Sequence, residues 1–91
     1  MRDLTISLEP TMGTCNRFYA FVASNRWIAA DGDRKRSKKG QIGTSQVKIT
    51  VRVFGIGEAQ YKLGLDLPGT VDDQSLTFNL SGGYHETEIL I

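Results

Sequence analysis

Few side chains in this sequence are reactive. Cys15 is its only cysteine and His85 its only histidine. Nucleophilic catalysis needs a nucleophile, a base and a group that orients the base. A Cys15–His85 or serine–His85 pair would supply two of these, but neither residue lies in a nucleophile motif. His85 shares one side of a predicted final strand with Thr87, Ile89 and Ile91, and reads as a histidine near solvent at the strand start or packed at a core edge. Glu86 and Glu88 share the other side, roughly 6.5–7 Å apart by strand rise. That approaches the spacing of glycosidase carboxylates. It is also the default for a solvated strand face, where Lys48, Arg52 and Lys62 are available as cross-strand partners. No catalytic residue is assigned, and the chain reads as a non-enzyme.

Metal and phosphate motifs fail in the same way. Asp31-Gly32-Asp33 opens like a calcium loop, but Lys35 stands at the next ligand position and Arg36 where the turn needs glycine. Asp72-Asp73 is a second acidic pair, and the cations after Asp33 would repel a metal ion held between the two. One cysteine and one histidine exclude a zinc site. Gly55-Ile56-Gly57-Glu58-Ala59-Gln60 begins like a dinucleotide fingerprint but lacks the last glycine and opens no helix. Gly40-Gln41-Ile42-Gly43-Thr44 has no P-loop lysine. Both read as turns or bulges. No metal or cofactor is assigned.

Two segments remain as binding candidates. Arg34, Lys35, Arg36, Lys38 and Lys39 put five cations in six residues, suited to phosphate or another anion. The plain alternative is a solvated loop whose charge keeps neighbours away. The rest of the chain is net acidic, which weakens a nucleic-acid reading. The second segment runs from Phe18 to Trp27. Phe18, Tyr19, Phe21 and Val22 are too closely spaced to face one core together, although Trp27 and Phe78 suit a core. Phe18, Tyr19, Phe21 and Trp27 are therefore the candidate partner or oligomer surface, pointing to a homo-oligomer or a protein partner. With Phe54 they are also the candidate stacking faces for single-stranded nucleic acid. A bound sugar would use Trp27 or Tyr84 as its platform, with Asn79 or Asp66 as hydrogen-bonding groups.

The elements that must position these residues are extended. Leu4, Ile6 and Leu8 alternate with polar residues, as do Val47 to Val53, Tyr61 to Leu67 and Leu76 to Leu80. Such one-sided strands favour antiparallel sheets. Residues 17–30, apolar on both sides, read as two strands about a Ser24-Asn25 turn. Glu9 to Gly13, Gly55 to Gly57 and Pro68-Gly69 read as strand ends, and Ser81-Gly82-Gly83-Tyr84 as a type I′ hairpin. Asp31 to Gln46 has Ile42 as its only apolar member and reads as a basic polar loop.

The expected fold is one all-β domain over residues 1–91, a small antiparallel β-sandwich of six or seven strands. The alternative is a five-stranded open barrel of the oligonucleotide-binding type. Composition agrees: 91 residues, 40% hydrophobic and 23% charged, with a net charge of +1. These values suit one globular domain and exclude a collagen, a coiled coil, an acidic disordered tail and a helical membrane span. All 11 basic residues lie in residues 1–62, while residues 63–91 carry five acids and no base. A chain divided in this way can pair its own strands across the divide, or pair with a second copy. The lone cysteine and the absence of a signal-peptide pattern point to the cytoplasm. The function expected is a binding or protein-interaction domain, with the nucleic-acid and sugar readings as alternatives.

Overall fold

The alternation of buried and exposed residues produces strands throughout, and the computed structural model describes residues 1–68 and 73–91. Among these residues six strands form: β1 (Arg2–Val22), β2 (Asn25–Asp31), β3 (Arg36–Ile42), β4 (Lys48–Asp66), β5 (Gln74–Asn79) and β6 (Tyr84–Leu90). All pairings are antiparallel. The expected Pro68-Gly69 turn and Asp72-Asp73 pair lie partly outside the described residues.

The long strands β1 and β4 organise the domain. The first half of β1 pairs with β3 and with the second half of β4, which pairs with β5. The second half of β1 pairs with β2 and with the first half of β4, which pairs with β6. Two layers result, β3–β1–β4–β5 and β2–β1–β4–β6, sharing the two long strands. Their inner faces meet. Phe18 of one layer lies 6.4 Å from Tyr61 of the other, ring centre to ring centre. His85 stacks on Phe78 at 4.9 Å. The core between them contains Leu4, Ile6, Leu8, Ala20, Ile49, Val51, Val53, Leu63 and Leu65, all essentially buried. Burying such side chains contributes about 1.5–3 kcal/mol each before chain entropy is subtracted. This is the expected all-β sandwich, with six strands rather than the five of the barrel alternative.

Two expected strand ends are bends instead. At Pro10 to Arg17 the β1–β4 register shifts three times, and opposite this stretch lies Gly55-Ile56-Gly57. Each shift inserts unpaired residues and increases twist, so the strand turns from one layer into the other without leaving the sheet. Gly13 supplies a φ of 70° and Gly57 a φ of 61°, values that side chains resist. A backbone at Gly13 with a side chain would also press on the Glu58 carbonyl.

A third expectation also changes. The segment 31–46, read as a loop, contains β3, which pairs with β1 from Arg2↔Ile42 to Leu8↔Arg36. An edge strand is held by main-chain hydrogen bonds on one side, and charge along it protects the open side. It therefore needs no apolar alternation, which is why the pattern missed it. Both hairpins are tight. Gly82 and Gly83 both have positive φ, as a type I′ turn requires. The β1–β2 turn falls on Ala23-Ser24, one residue earlier than expected, with Ala23 at φ 54° and its N–H donating to the Lys48 carbonyl at 2.9 Å.

Candidate functional site

With the even-numbered residues Phe18, Ala20 and Val22 turned inward, Arg17, Tyr19 and Phe21 must face out. Across the ladder the same parity brings out Thr50, Arg52 and Phe54 on β4, Tyr84, Glu86 and Glu88 on β6, and Arg26, Ala29 and Asp31 on β2. This outer face of β2–β1–β4–β6 carries an aromatic cluster. Tyr19 meets Phe54 edge to face at 5.9 Å, and Phe54 meets Tyr84 at 4.9 Å and 51°. Phe54 and Tyr84 remain 41% and 38% exposed. Arginines flank the rings: the Arg17 guanidinium lies 5.4 Å from the Tyr19 ring centre and that of Arg52 lies 5.6 Å from Phe21.

Most charges on this face are paired. Arg17 bonds Asp31 at 2.9 Å, Arg52 bonds Glu86 at 3.2 Å, and Lys48 lies 3.8 Å from Glu88. Glu86 and Glu88 are thus cross-strand partners of cations, as their strand position suggested. Arg26 makes no ion pair among the described residues. The basic first part and acidic last part of the chain meet at the β4–β6 ladder.

The sequence-predicted surface residues separate. Tyr19 and Phe21 lie on the outer face. Phe18 is fully buried between the layers and cannot contact a partner, because Tyr61 and the core occupy its side of β1. Trp27 is the extra residue where the β1–β2 register shifts, and its indole packs against the core and closes over Gly40. It is half-buried and offers no open platform. Phe54 and Tyr84 are joined by the β4–β6 pairing, between segments thirty residues apart in sequence, which neither segment announces.

The basic residues are also dispersed. Arg36 donates to the Asp31 carbonyl at 3.0 Å and to Asp33 at 3.1 Å, and Arg34 is 4.0 Å from Asp33. Lys38 pairs opposite Ile6 and Lys39 opposite Thr5, so strand alternation sends them to opposite sides of β3. Lys35 precedes the strand and is exposed.

The reactive side chains are committed to the interior. Tyr61 hydroxyl and His85 Nδ1 are 2.7 Å apart. Burial pushes the Tyr61 phenol far up and holds the His85 imidazole below its usual range. A protonated phenol and a neutral ring make a satisfied pair. Cys15 is buried, its thiol donates to the Gln60 carbonyl at 3.7 Å, and burial raises its pKa. Neither Cys15 nor a serine hydroxyl bonds His85 among the described residues. No three His, Cys, Asp or Glu side chains among the described residues converge to hold a metal ion. No described helix is long and apolar enough to cross a membrane. Comparison with family models, curated proteins and solved structures finds no match to this chain.

Proposed function

We propose that this chain is a non-enzymatic protein-interaction domain that binds through the outer face of β2–β1–β4–β6. The observation that carries the reading is the contact pair Phe54–Tyr84, large rings left open to solvent on the outer face where β4 meets the edge strand β6. The core is filled without them, and clustered exposed aromatics on a small domain mark contact surfaces.

Ring geometry supports a protein over a sugar or a nucleic acid. Tyr19 and Phe54 stand at 89° and Phe54 and Tyr84 at 51°, so they share no plane on which bases or pyranose rings can stack in series. Phosphate recognition calls for cations free to replace counterions, whereas three of the four cations on this face, Arg17, Arg52 and Lys48, are engaged with carboxylates and Arg26 stands apart from them. An uneven apolar relief bordered by matched charges suits protein side chains. A cytoplasmic setting belongs to the same proposal, since a lone buried thiol suits a reducing compartment.

The test places a photoactivatable benzoylphenylalanine at Tyr84, or at Lys39 on the other layer. The Tyr84 position should give protein adducts after irradiation and the Lys39 position few or none. Equal yields from both, or none from either, would contradict the reading.

A further inference from the structure

We propose that the partner is a second copy of this chain, packed face to face about a two-fold axis that runs parallel to the strands between β1 and β4. This deepens the interaction reading and rests on it.

Charge is laid out across the face in a self-complementary way. From edge to edge, hydrogen-bonded neighbours form three rows: Asp31, Arg17, Phe54, Tyr84; then Ala29, Tyr19, Arg52, Glu86; then Arg26, Phe21, Thr50, Glu88. An axis along the strands lays β2 of one copy over β6 of the other and β1 over β4, with rows kept in step. Arg17 then faces the second copy's Phe54, and Tyr19 faces its Arg52, two cation–aromatic pairs that symmetry repeats. Asp31 faces the Tyr84 hydroxyl. Arg26, which makes no ion pair among the described residues, faces Glu88, whose own-chain partner is Lys48. The sheets lie nearly aligned, the usual arrangement for stacked sheets.

The other in-plane axis, perpendicular to the strands, lays each strand over its own copy. The Glu86–Glu88 edge then meets itself, and the strand carrying Lys48 and Arg52 meets itself. Where that axis runs through a row it sets Asp31 and Arg17, Arg52 and Glu86, or Arg26 and Glu88 against their own copies, and such juxtapositions are strongly disfavoured at interfaces. Only the axis parallel to the strands brings Arg26 over Glu88, because the perpendicular one keeps each strand over its own copy.

The test is a charge-reversal cycle read by sedimentation equilibrium, with thermal melts to confirm that each variant folds. The wild-type chain should be a dimer in concentrated solution. Arg26→Glu and Glu88→Arg should each weaken the dimer roughly tenfold or more, and the double variant should recover most of that loss. A dimer indifferent to both reversals, or a double variant no better than the singles, would overturn the geometry. A wild-type chain that stays monomeric would overturn the second copy altogether. If such a monomer still forms Tyr84-dependent adducts with another protein, the interaction reading survives and only this inference falls.

Discussion

At the scale of single residues, the Tyr61–His85 pair determines how the domain responds to acid. The fold holds the imidazole neutral by burying it between Tyr61 and Phe78. The folded pKa is therefore below the ordinary value of 6.5, and between the two values the unfolded chain binds more protons. The stabilisation is fully present above pH 6.5 and is lost as pH falls through the folded value. Urea unfolding from about pH 7.5 down to about pH 5 should show a steeper loss for the wild type than for His85→Gln. Equal slopes would mean that the ring is already free to charge in the fold. Tyr61→Phe removes the hydroxyl and should cost about 1 kcal/mol near neutral pH; no loss would show that the bond contributes nothing. The core-edge position of His85 was one of two readings the strand allowed, the other being solvent at the strand start, and the company of Thr87, Ile89 and Ile91 on its side is what made it one of them. Its partner was not, because Tyr61 belongs to a different layer.

At the scale of elements, the bends in β1 and β4 turn one sheet into two facing layers. Every alternating segment could be read as a strand, because one side of each is sealed in the core and the other is wet. The glycine-rich stretches looked like breaks because pattern alone cannot distinguish a chain that leaves a sheet from one that bulges within it. Gly13 and Gly57 separate backbone conformation from crowding. Both have positive φ, but a Cβ at Gly13 would sit 2.7 Å from the Glu58 carbonyl oxygen, while at Gly57 it would meet nothing within 4 Å. Gly57→Ala should cost about 1–2 kcal/mol from backbone conformation alone, and Gly13→Ala about 1–3 kcal/mol more. Thermal melts of the two variants decide this. Equal losses would show that the bend in β1 has room that the packing denies. The missed strand β3 has a related cause, since main-chain pairing to β1 needs no apolar side chains, and Arg36 to Gln41 have none.

At the scale of the whole molecule, the two faces of the β2–β1–β4–β6 layer divide the work. The inner face supplies half the core, and the outer face gathers Tyr19, Phe54 and Tyr84 from three neighbouring strands. The sequence showed that residues 18–22 contain more large side chains than one core side can take, and it pointed to a contact surface there. It marked Trp27 as suited to a core, but it could not show that the surface is completed by β4 and β6, which strand pairing decides, or which of residues 18–22 turn inward. In the proposed reading these outer rings serve association and not folding. Phe54→Ser combined with Tyr84→Ser separates the two, through its melting temperature and its sedimentation across a concentration series beside those of the wild type. The expected result is a melting temperature within a few degrees of wild type together with loss of association. A variant that unfolds, or one that associates as the wild type does, would contradict it.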